Sequence, residues 1–339
     1  ISLQFRSSNS APNMNTYFFN PEKFRRLYRC DYMNQSEWSQ FAVPHPTVGV
    51  AFILLGIVYL TTYIPCLIVM RRQSFFKHSC FKLMFFMGVL DIFCLLINCF
   101  ETGAFMIMGS VFCQAPNFQY ITGSLAVGGW SGQCMFCVVL ALNRCVDFWS
   151  KRWAEKCFEG KRIYVWVCIP LAYMLFYVFF TPAATYTSAA IMWFFDPYIF
   201  IPESAVPVDH SRYASWAHSI NDYVVITCLV ILYSALVISI RVVSGNDRHR
   251  AMQLKIILQA GIICLLNFVP AVIFTVAQFF QPPPVFIVMC VLFYQCGNGG
   301  AGLVLLALNK TIRRNVCQML KTSVPVSLYS KSQVVPSRR

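Results

Sequence analysis

Seven apolar runs alternate with short polar stretches along this chain, at about residues 48–70, 81–104, 119–143, 163–184, 219–241, 253–280 and 285–308. Each reaches the roughly 20 residues that a helix needs to cross a hydrocarbon core. The first, VGVAFILLGIVYLTTYIPCLIVM, contains no charge and stops at Arg71 and Arg72. The third is the least hydropathic, because ITGSLAVGGWSGQC is rich in small residues. Gly and Ser let helix backbones approach closely, so this run is expected to be surrounded by other helices and to see little lipid. No run alternates with period two, as a barrel strand would, and open backbone is excluded from lipid. The pattern predicts an all-α membrane protein. Its core is a seven-transmembrane helix bundle over 48–308, flanked by an amino-terminal segment, 1–47, and a tail, 309–339.

Composition supports this reading and charge adds an orientation. Of 339 residues, 58% are hydrophobic and only 12% are charged, a balance outside that of ordinary soluble domains. With the amino terminus outside, 21 of the 27 Lys and Arg fall on the inner side and six on the outer. Leaving out Lys331, Arg338 and Arg339, which are far from the last run, still places 18 inside. Positive charge collects in cytoplasmic loops, so the chain is expected to run amino terminus outside, carboxyl terminus inside. The net charge of +14 is then a membrane-orientation signal, and no nucleic-acid partner is expected. Residues 1–47 contain no apolar core flanked by a cleavage site, so no cleaved leader is expected within them and the first run is expected to act as its own insertion signal.

Asn34 opens the triplet NQS on the expected outer side and is a glycosylation candidate; a second triplet, NKT at Asn309, falls on the inner side. Most of the sixteen cysteines lie inside apolar runs, where a thiol packs as a small apolar group. Cys134 and Cys137 form a CxxC with no second pair, which reads as packing rather than a metal or redox site. Only Cys30 and Cys113 fall clearly outside, either as two free thiols or as a disulfide that fastens the amino-terminal segment over the mouth of the bundle. After Lys310, TIRRNVCQMLK is amphipathic and suits the inner membrane surface, with Cys317 a palmitoylation candidate.

Polar groups inside apolar runs are costly and are candidates for function. Asp91 lies midway along the second run, either as a neutral acid bonded to its neighbours or as an ion or proton site. Glu101 and Asp222 lie near the outer edge, facing a cavity or interfacial water. Pro270 interrupts the sixth run in LLNFVPAVIF and predicts a kink, while QPPP at 281–284 makes the link to the seventh run short and stiff. Arg144 ends the third run, where it either snorkels to the headgroups or serves as a switch. There is no HExxH, no GxSxG and no phosphate-binding Gly-Lys pair. The chain is therefore not expected to be an enzyme, and no cofactor or metal is expected.

The sequence LALNRCVD at the end of the third run, in a chain of seven helices, resembles the rhodopsin-like receptors coupled to G proteins, whose third helix ends in an acid-Arg-aromatic triplet. The longer stretch VFCQAPNFQYITGSLAVGGWSGQCMFCVVLALNRCVDFW resembles the nematode serpentine chemoreceptors of the Srt type, and the resemblance covers about residues 45–320. It implies a multi-pass receptor of the plasma membrane, in such families of the sensory cilium. The implied partners are a small-molecule ligand outside, a heterotrimeric G protein inside, and membrane lipid. Asn143, Arg144 and Cys145 stand at the triplet, so Arg144 would contact the G protein while Asn143 replaces the restraining acid. Asp91 matches the second-helix aspartate that holds sodium in many such receptors, and Phe268 and Pro270 match the sixth-helix hinge, with Phe where Trp is usual. The seventh helix departs, with Ala301 and Gly302 where Asn-Pro is expected and Leu305 where Tyr is expected. Candidate cavity residues, taken as polar or aromatic groups in the outer halves of helices, are Glu101, Trp130, Gln133, Asp222, Gln278 and Tyr294. The alternative reading is a ligand-gated channel or carrier on the same bundle, with Asp91 and GNGGAG along its path.

Overall fold

The computed structural model describes residues 13–242, 248–277 and 284–323, with side chains over 13–239, 257–272 and 285–321. Among the described residues, seven long helices follow one another: α1 Pro46–Met70, α2 Ser79–Met108, α3 Pro116–Trp149, α4 Ile163–Phe180, α5 Trp216–Val242, α6 Arg248–Ala277 and α7 Pro284–Leu308. Six of them are long and apolar enough to cross a membrane, and α6 contributes the apolar stretch Ile257–Val272. A further helix, α8 Lys310–Ser323, follows α7 directly. Gln278, the tail beyond 323 and most of the QPPP link lie outside the described residues.

Burial follows the chemistry of each helix. The span of α3 is 72% buried against 28% for α4 and 22% for α5. Its small residues let neighbours close in from every side, whereas α4 and α5 turn exposed Val, Leu, Ile and Phe outward to face hydrocarbon. Helices α6 and α7 pack against each other, as their short link requires, and α7 also lies on α1. That second contact depends on Gly299, where a Cβ would stand 2.1 Å from Cγ of the Tyr59 ring. The run GNGGAG is thus filled by packing, with Gly302 set against Tyr63 in the same way.

Several helices end away from the limits of their apolar runs, the third and fourth for reasons that the structure shows. The fourth stops at Phe180 rather than 184, because Thr181 precedes Pro182 and takes an extended backbone (φ −119°, ψ 162°). The third continues to Trp149, six residues past its apolar run, because the polar residues from Arg144 onward lie in a cleft between helices. Within α2, Leu96–Glu101 forms a π turn, and Thr102 Oγ1 donates to the carbonyl of Ile97 five residues back, at 2.9 Å. The extra residue in such a turn rotates everything after it by about 100° relative to a regular α-helix.

One end of the bundle is capped. Residues 13–47 form short helices started by Asn13, Asn20 and Asn34, each of which accepts a backbone N–H. They pack on the α4–α5 connection around Phe24, Tyr28, Trp38, Tyr198 and Tyr213. The Cys30–Cys113 disulfide ties this segment to the start of α3. The Tyr198 and Tyr213 hydroxyls donate to the carbonyls of Arg29 and Leu27, at 2.7 and 2.6 Å. Beneath the segment, β1 Thr185–Thr187 and β2 Met192–Phe194 pair antiparallel with Tyr186 opposite Trp193. This hairpin reaches α3 closely because Gly123 lacks a side chain; a Cβ there would overlap the carbonyl of Ala184.

Candidate functional site

Below the hairpin lies a cavity of about 370 Å³, within the size range of small-molecule sites. Its wall is built by Asn98 and Thr102 of α2, Trp130 of α3, Trp193 and Phe195 of the hairpin region, His218 of α5, and Val291 and Tyr294 of α7. Trp130 meets Tyr294 edge to face, with ring centres 5.1 Å apart. The indole N–H of Trp130 donates to Oδ1 of Asp222 at 3.1 Å, and Nδ2 of Asn221 donates to the same oxygen at 2.9 Å. The other carboxylate oxygen lies 3.5 Å from Nε2 of His218. Trp193 closes the top, its N–H donating to Thr102 Oγ1 at 2.9 Å.

A chain of buried polar groups runs from the cavity wall toward the middle of the bundle. The carbonyl of Tyr294 accepts from Asn298 Nδ2 at 2.8 Å, and Asn298 Oδ1 accepts from Gln133 Nε2. Gln133 Nε2 also donates to Asp91 Oδ1 at 2.6 Å, while the Tyr63 hydroxyl donates to Asp91 Oδ2 at 2.6 Å. Asp91, Gln133 and Asn298 are fully buried. Donors from α1 and α3 therefore meet on the α2 carboxylate, with α7 joined to it through Gln133, an arrangement in which a buried acid is tolerated.

Arg144 lies eleven residues beyond Gln133, roughly 16 Å farther along α3. It borders a second cavity of about 730 Å³ at the uncapped end, among α2, α3, the helix Lys151–Phe158, α6 and the α7–α8 junction. Its side chain is only 7% exposed and is closed onto its own helix. Nη1 lies 3.2 Å from Asp147 Oδ2, Nε donates to Asn143 Oδ1 at 3.2 Å, and Nη2 donates to the same oxygen. Asn143 in turn donates from Nδ2 to Ser79 Oγ at 3.1 Å, and the Cys145 thiol donates to the carbonyl of Leu232 on α5 at 3.3 Å. Across the cleft, Asn309 Nδ2 donates to Gln259 Oε1 at 3.1 Å. Pro270 lies inside α6 and cannot donate to the carbonyl of Leu266. That carbonyl faces Gly297 of α7, where a Cβ would stand only 3.0 Å away. Phe268 is partly buried against the main core.

The structure thus brings Trp130 and Tyr294 into the cavity wall and sets Asp222 directly behind it. Gln133 is not in the wall; one turn deeper than Trp130, it is taken up by Asp91. Glu101 is not in the wall either. The π turn rotates it away from Asn98 and Thr102, and it accepts from the Thr122 hydroxyl at 2.6 Å. Asn34 is exposed, and its Oδ1 caps the helix Gln35–Trp38. Cys317 is exposed on α8, whose Ile312 and Val316 are buried against the bundle.

Four residues that the sequence reading passed over prove central. Asn98 stands out as a polar residue in the run LLINCFE, and His218 lies one turn before Asp222. Asn298 sits within GNGGAG, and Asp147 follows Arg144 by three residues, the spacing that pairs side chains on one helix face.

Comparison with known proteins agrees with this architecture. The profile of the family described as serpentine type 7TM GPCR chemoreceptor Srt matches residues 14–327. Serpentine receptor class T-55 of Caenorhabditis elegans is 22% identical over 300 residues, which cover 87% of this chain and 80% of that protein. The matched span takes in the cap, all seven long helices and α8. With nearly the whole chain matched, it belongs to the Srt family of serpentine seven-transmembrane chemoreceptors, a family of receptors rather than enzymes.

Proposed function

We propose that this chain is a chemosensory receptor of the plasma membrane, in the sensory cilium as its family suggests, with its capped end outside. A small molecule binds in the cavity beneath the hairpin, and a heterotrimeric G protein engages the Arg144 cleft inside. The observation that carries this reading is the placement of two cavities at opposite ends of α3, with the polar chain through Gln133 and Asp91 between them. A ligand that favours one packing of Trp130 and Tyr294 shifts the bundle between two states, and the partner that favours the same state is coupled to it. Pro270 supplies the point about which α6 moves, and Asp91 is the group whose ion or proton occupancy changes as its partners separate. Arg144 is then released from Asn143 and Asp147 into the cleft.

The test is G protein nucleotide exchange in cells that carry equal surface amounts of the wild type and Arg144→Ala, challenged with water-soluble and volatile odorants. A response that Arg144→Ala removes is the expected result. A ligand-evoked current that survives both Arg144→Ala and G protein blockade would replace this reading with the channel alternative.

A further inference from the structure

The helix Lys151–Phe158, between α3 and α4, sorts its charges by face. Lys151, Ala154 and Glu155 border the Arg144 cleft, as does Glu159 just beyond the helix, and Phe158 is buried in the main core. At about 100° per residue, Arg152, Trp153 and Lys156 fall on the opposite face. All three are exposed, and Lys156 Nζ lies 4.9 Å from the centre of the Trp153 ring. The acids thus face the cleft, while the face turned away from it is basic and aromatic.

Two contacts hold this helix beside the start of α4. Trp166, in the first turn of α4, donates its N–H to the carbonyl of Cys157 at 3.0 Å and stacks on Phe158 with ring centres 4.8 Å apart. Its neighbours Tyr164 and Val165 are exposed, so this is the level at which α4 meets lipid. The Arg162 guanidinium donates to the carbonyl of Lys156, which brings another cation to the same place. From α2, half-buried Lys82 holds its ammonium 5.9 Å from the centre of the Tyr164 ring and 5.8 Å from that of Phe76. Among the described residues, none of Lys82, Arg152, Lys156 and Arg162 pairs with a carboxylate.

Tryptophan and tyrosine rings favour the headgroup layer, and Lys and Arg at that depth attract anionic headgroups. Positive charge that served orientation alone would need no such sorting by face. We propose, with the sidedness taken from the receptor reading above, that Lys82, Arg152, Trp153, Lys156, Arg162 and Tyr164 form a site for an anionic phospholipid of the inner leaflet. The cations take the phosphate and the second negative charge of the headgroup, and the two rings flank the glycerol. Phosphatidylcholine brings its own cation to the phosphate and gains less. Each engaged cation adds up to about fivefold in favour of an anionic headgroup. One added headgroup charge is shared among the four and salt screens them, so the expected preference over phosphatidylcholine is about tenfold at physiological salt.

The experiment is tryptophan fluorescence of the full-length receptor in lipid nanodiscs, without ligand or G protein. A brominated lipid quenches a tryptophan that it touches. Phosphatidylserine and phosphatidylcholine, each brominated near the glycerol, are therefore titrated separately into an unlabelled phosphatidylcholine bilayer. Phosphatidylserine is expected to reach the same quenching at about one tenth of the mole fraction. Trp153→Phe should remove most of this excess, and Trp216→Phe, an exposed ring near the cap, should remove none. Lys82→Gln, Lys156→Gln and Arg162→Gln should each lower the preference about two- to fivefold, whereas Lys151→Gln, on the cleft face, should leave it unchanged. Equal quenching by the two lipids overturns the assignment, as does a preference that survives Lys156→Gln and Arg162→Gln combined. Variants of this face that lower G protein nucleotide exchange but keep the full lipid preference give the face to the protein partner instead. The lipid preference is read without G protein and the Arg144→Ala response with it, so failure of the lipid site is distinguishable from failure of the receptor reading.

Discussion

Asp147→Ala should raise basal signalling. The pair that Asp147 makes with Arg144, 3.2 Å across one helical turn, closes the guanidinium onto α3, where a partner cannot take it. On the proposed receptor mechanism it therefore stabilises the uncoupled state. The Arg144 side chain is 7% exposed and that of Asp147 is 35% exposed, so the pair is worth less than a buried one and more than a typical surface one. Charge-assisted hydrogen bonds run at about 1.5–3 kcal/mol and exposed ion pairs at about 0.2–1. Solvent at Asp147 brings the figure to about 1 kcal/mol. With RT near 0.59 kcal/mol, that corresponds to about a fivefold change in the ratio of coupled to uncoupled receptor. Where the coupled fraction is small, basal G protein nucleotide exchange rises by about the same factor. Asp147→Asn keeps an acceptor without the charge and should give a smaller rise, about twofold. The assay is agonist-free nucleotide exchange in membranes with surface levels matched by antibody. Basal exchange that is unchanged or lower in Asp147→Ala would show that the ion pair does not restrain the receptor.

Three further outcomes check other parts of the structure. Gly299→Ala places a carbon 2.1 Å from Cγ of the buried Tyr59 ring, and overpacking of this kind costs about 1–3 kcal/mol. The unfolding midpoint of purified protein should fall by several degrees, whereas Gly261→Ala, with its nearest neighbour 3.3 Å away, should change it little. If the capped end is outside, Asn34→Gln abolishes the gel shift on glycosidase treatment and Asn309→Gln does not; the reverse pattern inverts the topology. Burial holds the Asp196 carboxyl above the usual carboxylate range, with His210 at 2.5 Å pulling the other way. The folded cap thus retains a proton that the unfolded cap releases. Its contribution to cap stability is full below the ordinary carboxylate pKa and is lost as pH rises through the raised value. Limited proteolysis of the cap across that window should show falling protection in the wild type and a flatter profile in Asp196→Asn.

Much of the bundle was legible because hydrophobicity and length are one-dimensional properties. Six of the seven apolar runs appear as helices long enough to span a membrane, and the small residues of the third mark the helix that the others surround. What the sequence could not show is facing. Trp130 and Gln133 lie on nearly the same side of α3, yet one turn of depth separates a cavity wall from a carboxylate partner. Glu101 lies at the end of the π turn Leu96–Glu101 and bonds Thr122, while Asn98 and Thr102 of the same helix line the cavity. The hairpin was missed for a different reason. Its strands are three residues each, Thr-Tyr-Thr and Met-Trp-Phe, too short for a period-two pattern to show. The acid that pairs with Arg144 is not at the preceding position, where Asn143 stands, but at Asp147, one turn later, and pairing at that spacing shows only once the side chains are placed.

Coupling between the two ends of α3 is tested most directly by reciprocity. If a ligand in the cavity and a G protein at the cleft favour the same state, each must tighten the other by the same factor. The measurement is the affinity of an activating ligand for purified receptor in nanodiscs, with and without nucleotide-free G protein, in the wild type and in Arg144→Ala. Ligand affinity should rise roughly five- to a hundredfold with G protein in the wild type, a coupling of about 1–3 kcal/mol, and should stay at its uncoupled value in Arg144→Ala. An affinity that G protein leaves unchanged in the wild type would contradict the coupling of cavity and cleft.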